Sequence, residues 1–359
     1  MSDLKYWVGF SCVPGIGRVR LALLERHFGD LSAAWDADGS ELTRAGLDRR
    51  AVASILNRRP KISLDEEMER LERYGVQVLT WRDDAYPSLL KEIDDVPPVL
   101  YVRGSLTTQD RTALAVVGTR RATPYGKEAA TRLSSDLAHS GVTIVSGLAR
   151  GIDTTAHRAT LDAGGRTIAV LASGVDVIYP SENASLAREI IQNGALVSEH
   201  PLGIRPEGSH FFRRNRIMSG LSLGVLIVEA GEGSGANITV KWALEQGREV
   251  FAVPGSIFSQ ASLWTNRWIQ EGAKLVTVAN DILQELNLAS VTRQLEFTQM
   301  VPTSNLENQL LGCLSPQPVH IDLLCRQSGL PVATVSSTLT VLELKGAVRQ
   351  VGSMQYVLA

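Results

Sequence analysis

Between Arg111 and Val276 the chain alternates short runs of branched apolar residues with longer amphipathic spans. The runs are Leu114 to Val117, Val142 to Val145, Thr167 to Leu171, Ala195 to Val197, Gly224 to Val228, Val250 to Val253 and Lys274 to Val276, and helical spans of ten or more residues separate most of them. A strand with one wet face alternates apolar and polar side chains, and these runs do not. Continuous Val, Ile and Leu runs belong to strands buried on both faces, so the pattern predicts an α/β fold with a doubly wound, mostly parallel sheet.

The flanking segments are different. Residues 1–75 show helical periods broken by glycine. Val13-Pro14-Gly15-Ile16-Gly17, ahead of the amphipathic stretch Arg18 to Phe28, predicts a helix-hairpin-helix unit. Such a turn either joins two packed helices or holds a DNA phosphate on backbone N–H groups, and mixed charge around a single copy favours the structural role. Val76 to Arg103 reads as a short strand, a Tyr86-Pro87 turn and, after Pro97-Pro98, a second apolar strand, together a connector packed on the sheet; the sheet domain is taken as 76–289. Polar residues 290–305, with Pro302, mark a linker. In 306–359, helical periods over Leu306 to Leu314, Ile321 to Gln327 and Val332 to Leu344, then a hairpin turning near Gly352-Ser353, predict a winged helix. The third helix, which enters the groove in DNA-reading modules, carries Thr, Ser and Glu343 but no Arg or Lys. A protein-contact module is therefore expected.

With 36 basic and 38 acidic side chains in 359 residues and a formal net charge of -2, this is no general DNA coat, and any polyanion site must be a local patch. Three cysteines, Cys12, Cys313 and Cys325, form an odd and widely spaced set that fits a reducing cytoplasm. His320 lies between the last two, but the spacing matches no zinc pattern, and buried core is expected for Cys313, His320 and Cys325. The longest apolar runs are strand-sized and no charged-then-apolar leader opens the chain, so a cytoplasmic protein without membrane contact is expected.

Candidate chemistry concentrates where predicted strands end. Gly118-Thr119-Arg120-Arg121, Ser146 through Asp153, Ser173-Gly174, Phe211-Phe212-Arg213-Arg214-Asn215-Arg216 and Glu229-Ala230 through Ser234-Gly235 are read as loops of glycine, small hydroxyl residues and arginine. A parallel sheet gathers its carboxyl strand ends on one edge, where ligands bind. Glycine admits backbone N–H groups to an anion, helix N-termini add positive dipole, and arginine offers a bidentate fork, so the chemistry suits phosphate. Arg120, Arg150, Arg214 and Arg216 are expected to neutralise phosphates, Gly118, Thr119, Ser146, Gly147, Ser234 and Gly235 to supply N–H and hydroxyl donors, and Phe211 or Phe212 to stack on a base. No G-x-G-x-x-G fingerprint and no Walker lysine occurs, so no nucleotide cofactor is implied. Asp153 and His157, one turn apart, are read as cap and packing. Glu229 closes a strand as either a general base or a partner for arginine, and with no second carboxylate and no Ser/His/Asp set no catalytic residue is assigned.

At these residues the chain resembles the DNA-processing protein A (DprA, also called Smf) family, over nearly its whole length. The likeness rests on Ile144-Val145-Ser146-Gly147-Leu148-Ala149-Arg150-Gly151-Ile152-Asp153 with His157, Thr167 to Leu171 through Tyr179-Pro180, Arg214-Asn215-Arg216-Ile217, Gly220-Leu221-Ser222, Val228-Glu229-Ala230 with Ser234-Gly235, and Arg248 through Gly255. It implies a helical N-terminal domain of SAM or helix-hairpin-helix type, an extended Rossmann-like sheet domain and a C-terminal winged helix. It also implies a non-enzymatic protein that binds single-stranded DNA during natural transformation, protects it and loads the RecA recombinase. Members are homodimers through the sheet domain, and single-strand-binding protein is a further candidate partner. Carried over, the family's Gly-Ser-Arg loop falls on Gly118-Thr119-Arg120 and its Asn-Phe-Pro-x-Arg-Asn-Arg motif on His210 through Arg216, which makes Phe211 the stacking aromatic and sets Asn215 at the DNA. His210 and Phe212 depart from that motif, Asn237, Lys241 and Trp242 replace small apolar residues, and Trp264 replaces a glycine.

The rival class is a nucleotide-handling hydrolase of the related phosphoribohydrolase superfamily. Its Pro-Gly-Gly-x-Gly-Thr loop would fall on Glu229-Ala230-Gly231-Glu232-Gly233-Ser234-Gly235, and the match fails. A pure adaptor acting through the winged helix would leave the arginine loops unexplained.

Overall fold

The structure is a computed structural model that describes residues 3–288, 305–315, 318–344, 348–352 and 354–358. The predicted linker lies outside the described residues except for Asn305. A nine-stranded sheet has the spatial order β1 (Val76–Thr80), β2 (Val99–Gly104), β6 (Gly194–Ser198), β5 (Thr167–Val170), β4 (Thr143–Ser146), β3 (Ala113–Val117), β7 (Gly224–Ile227), β8 (Glu249–Ala252), β9 (Lys274–Leu275). From β6 to β9 every pairing is parallel. Every residue of β3 to β7 is buried, which is why their sequences are largely apolar and do not alternate. The chain leaves β3 toward β4, β5 and β6, then returns to the other side of β3 for β7, β8 and β9. The order reverses at β3, and a crevice opens at such a switch point.

Val76 to Arg103 is more than a connector. Its two strands pair with each other and extend the sheet, with β2 antiparallel to β6 through Tyr101↔Ser198 and Val102↔Val197. Four consecutive buried residues in β2 explain this, because an apolar run is satisfied only inside a sheet. On one face these strands share a core with the N-terminal helices, where Trp7, Phe10, Leu24, Leu42 and Ile55 pack with Val76, Val78, Val99 and Tyr101. Contacts divide the chain into two compact units, 1–287 and 288–359, and the N-terminal helices belong to the first.

The second unit has helices Asn305–Leu311, Ile321–Ser328 and Val332–Leu344 and an antiparallel sheet of β10 (Val319–His320), β12 (Gln355–Leu358) and β11 (Val348–Gly352), in that spatial order. This is a winged helix around Leu310, Leu324, Val335, Leu339 and Leu342. Its third helix exposes Ser336, Ser337, Thr340 and Glu343. His320 departs from its expected burial. It is exposed, and its Nδ1 accepts from the Asp322 N–H at 3.3 Å as the cap of helix Ile321–Ser328, a position that lies at the surface. Cys313 and Cys325 are only half-buried at the edge of this core. Among the described residues no helix is long and apolar enough to cross a membrane.

Candidate nucleic-acid interface

The loops after β3, β4 and β7 meet at the switch point and are tied to one another. The Thr119 N–H donates to the Glu229 carbonyl at 2.8 Å, and the Ile152 N–H donates to the Thr119 carbonyl at 3.2 Å. Asp153 does not cap its own helix. It reaches back instead, and Oδ2 accepts from the N–H groups of Gly147 at 3.1 Å and Ala149 at 3.3 Å, which fixes the turn. Glycine is required at two places in this turn. Gly151 has φ 76°, and a Cβ there would sit 2.3 Å from the Thr119 carbonyl oxygen; a Cβ on Gly147 would sit 2.3 Å from Arg214 Nη1.

Phe211 through Arg216 lie in a helix, Gly208–Gly220, where a loop was expected. Helical spacing brings Phe211, Arg214, Asn215 and Met218 to the cleft and turns Arg216 away. Arg214 is 5% exposed and forms part of the cleft floor. Its Nη1 donates to the carbonyls of Gly147, at 2.7 Å, and Val170, and its Nε donates to Asn215 Oδ1 at 3.1 Å. Asn215 in turn donates to the Gly235 carbonyl at 3.3 Å. Arg216 donates to Asp95 at 2.8 Å and Glu199 at 2.7 Å, fully buried and away from the cleft. Ser146 is also interior, with its hydroxyl donating to the Val116 carbonyl at 2.6 Å. Of the expected site residues, Arg216 and Ser146 do not line the cleft.

What remains at the surface forms a cleft of about 600 Å³. Gly118, Thr119 and Arg120, the loop Gly231 through Gly235, and Phe211 and Phe212 all line it. The Arg120 guanidinium lies 5.1 Å from the centroid of the half-buried Phe211 ring, and Tyr179 meets that ring edge-on at 5.8 Å. Arg150 borders a small adjoining hollow, and both ends of its fork bind Glu182, at 2.6 and 2.7 Å. Gly235 precedes helix Ala236–Glu245, whose first turn has no acidic residue, so its positive dipole end borders the cleft; the Ala236 N–H there donates to Ser234 Oγ at 3.4 Å, and those of Asn237 and Ile238 donate to the Ser234 and Gly235 carbonyls at 3.3 and 3.1 Å.

Burial sets the electrostatics. Desolvation pulls Arg214 down to about 10, so it stays charged at neutral pH. Burial raises the Asp153 carboxyl, with Arg214 opposing, and burial drives His157 down to about 3, so it stays neutral with Nδ1 2.6 Å from Thr167 Oγ1. The bond with Glu182 holds Arg150 above its ordinary value. Glu229 is neither a free base nor an arginine partner. Its carboxylate accepts from the Thr123 N–H at 2.9 Å and the Thr123 hydroxyl at 2.5 Å, pinning the start of helix Pro124–His139.

Sequence reasoning placed Arg121 in a candidate loop without a role, and missed Ile238 and Thr239 in the lining and Glu182 as the partner of Arg150. Thr239 was findable, one helical turn beyond Gly235. Glu182, 32 positions from Arg150, left no local signal. Two departures from the motif are absorbed internally: Asn237 accepts from Trp268 Nε1 at 3.0 Å, and the His210 ring packs 4.2 Å from His200.

Residues 77–287 match the family described as DNA recombination-mediator protein A, and residues 299–353 match the DprA winged helix domain. The chain is 34% identical to protein Smf of Synechocystis over 99% of this chain and 98% of that protein, and 38% identical to protein Smf of Escherichia coli over 96% and 93%. The X-ray structure of DNA processing protein A from Streptococcus pneumoniae aligns with 34% identity and a TM-score of 0.69 over 79% of this chain and 98% of that one. That of Helicobacter pylori, described by its single-stranded DNA binding mode, aligns with 30% identity and a TM-score of 0.53 over 59% and 96%. With its sheet domain, its winged helix and almost its full length matched, the chain belongs to the DNA-processing protein A family.

Proposed function

We propose that the switch-point cleft binds single-stranded DNA and that the protein is a non-enzymatic recombination mediator, which protects incoming strands and delivers them to the RecA recombinase during natural transformation. The observation that carries this is Arg120 lying on Phe211 in a cleft that Gly233 through Gly235, at the positive end of helix Ala236–Glu245, also line. An aromatic face beside a phosphate-binding cation and backbone donors is how single strands are held without sequence preference. The H. pylori relative, described by its single-strand binding, supports the same choice. In this reading Arg120 and the N–H groups near Gly118, Ser234 and Gly235 meet phosphates, Phe211 stacks, and Arg214 supplies charge from beneath. Arg150 meets the strand by exchanging Glu182 for phosphate. The hydrolase alternative loses its best candidate base, because Thr123 occupies both oxygens of Glu229.

The family's homodimer has a candidate surface where Ile257, 83% exposed, and Phe258, 90% exposed, stand near Leu263. The test of the main reading is binding of a labelled oligonucleotide, single- against double-stranded, across a salt series. Tighter single-strand binding is expected, and equal or tighter duplex binding at physiological salt overturns it.

A further inference from the structure

A second groove, of about 460 Å³, borders the first through the helix Gly208–Gly220. Phe212 and Arg214 line the cleft, while Arg213 between them lines the groove together with Gly15, Gly17, Arg18, Arg20 and Asp48 of the helix-hairpin turn. Helix Arg18–Phe28 begins here with two arginines and no acid in its first turn, and no side chain caps it. Cations at the positive end of a helix are disfavoured. Arg20 has a structural reason to be there, since it donates to the Gly15 carbonyl and to Asp48, both at 2.5 Å. The other groove carboxylate, Asp95, is held by Arg216 at 2.8 Å. Arg213 meets a carboxylate only at 3.9 Å, on Glu199, which Arg216 already binds at 2.7 Å. Arg18 is exposed and pairs with no carboxylate among the described residues.

Both aspartates of the groove are thus already neutralised, Arg18 is left without a carboxylate among the described residues, and Arg213 keeps only its 3.9 Å contact with Glu199. We infer that the groove is a second phosphate subsite on the single-strand path, in which a strand leaving the cleft crosses the ridge at Phe212, 54% exposed, and sets a phosphate between Arg213 and Arg18. This rests on the cleft binding single-stranded DNA. It gives the N-terminal turn a ligand that the packing of two helices does not require.

The experiment compares two single-stranded oligonucleotides, one of about 6 nucleotides that fills only the cleft and one of about 20 that spans both sites. Arg18→Ala and Arg213→Ala are expected to weaken the long strand about three- to tenfold at about 0.1 M salt and to leave the short one unchanged. Arg18→Ala should also leave the melting temperature unlowered, since it removes a cation from a positive helix end. Parent-like binding of the long strand by both variants, equal weakening of both lengths, or a loss confined to duplex overturns the subsite. Arg120→Ala separates this from the underlying reading: if it weakens both lengths while Arg18→Ala weakens neither, only the groove fails, and if it weakens neither, the cleft reading fails and the groove with it.

Discussion

Replacing Phe211 and Arg120 by alanine, singly and together, separates stacking from charge at the cleft mouth. The Phe211 ring is half-buried, with Tyr179 at its edge and the Arg120 guanidinium 5.1 Å from its centroid. Loss of a base-stacking ring costs about 1–3 kcal/mol, roughly fivefold to a hundredfold in affinity, and releases no counterion, so the salt slope of Phe211→Ala should equal that of the parent. Arg120→Ala removes one phosphate contact and should flatten the log–log slope by about 0.7. Because the two side chains touch, the double variant should lose less than the sum of the singles, by about the 0.5–1 kcal/mol of an exposed cation–π pair. Fluorescence anisotropy of a labelled oligonucleotide over a salt series, on variants with parental circular dichroism, reads all three quantities. Phe212→Ala is the decisive control, since that ring stands exposed beside the first. If Phe211→Ala binds like the parent while Phe212→Ala is impaired, the stacking residue has been placed one position early. If neither matters, the site is electrostatic only.

Arg216→Met should unfold the first unit about 3–5 kcal/mol more easily in denaturant, because it strands the 10% exposed Glu199 carboxylate, while DNA affinity of the folded variant stays parental. A loss of affinity at parental stability would return Arg216 to the site. Removing the segment after Asn305 should cost less than tenfold in single-strand affinity, since the third helix of the winged helix exposes no cation among its described residues; a larger loss by a folded truncation moves the DNA site there. Buried His157 titrates near 3 when folded and near 6.5 when unfolded, so the unfolded state binds more protons between those values and stability falls as pH drops below about 6.5. His157→Gln should lessen that fall by up to about 1.4 kcal/mol per pH unit, measured by denaturation at successive pH values, and an unaltered pH dependence would refute the linkage.

The sheet was legible because burial on both faces leaves no exposed position in β3 to β7, so their runs are largely apolar, and the glycine loops were legible because they punctuate those runs. The helix Gly208–Gly220 was not, although Phe211, Arg214, Asn215 and Met218 keep helical spacing. Hydrophobic periodicity assumes that charge faces water, and here the buried face carries Arg214, Asn215 and Arg216. Arg216 was placed at the DNA because an arginine in a glycine-rich neighbourhood reads as phosphate-binding. Its partner Asp95 is 121 positions away, and Thr123, which occupies Glu229, is 106 away, so neither pairing leaves a trace in local sequence.

The division of the arginines also bears on how a chain of net charge -2 meets a polyanion. Arg214 and Arg216 are consumed inside, Arg214 by two backbone carbonyls and Arg216 by two carboxylates, and each would leave buried acceptors unpaired if it swung out toward a strand. Arg150 is bound to Glu182, so it meets a phosphate only by exchanging one anion for another. Arg120 and Arg121 are left as exposed cations of the cleft. Only exposed cations release counterions in proportion, whereas a helix dipole and an aromatic face contribute without them, so single-strand binding should show a shallow salt slope relative to its affinity. That combination would hold a strand at physiological salt without a basic surface, and a steep slope approaching one unit for every arginine of the cleft would contradict it.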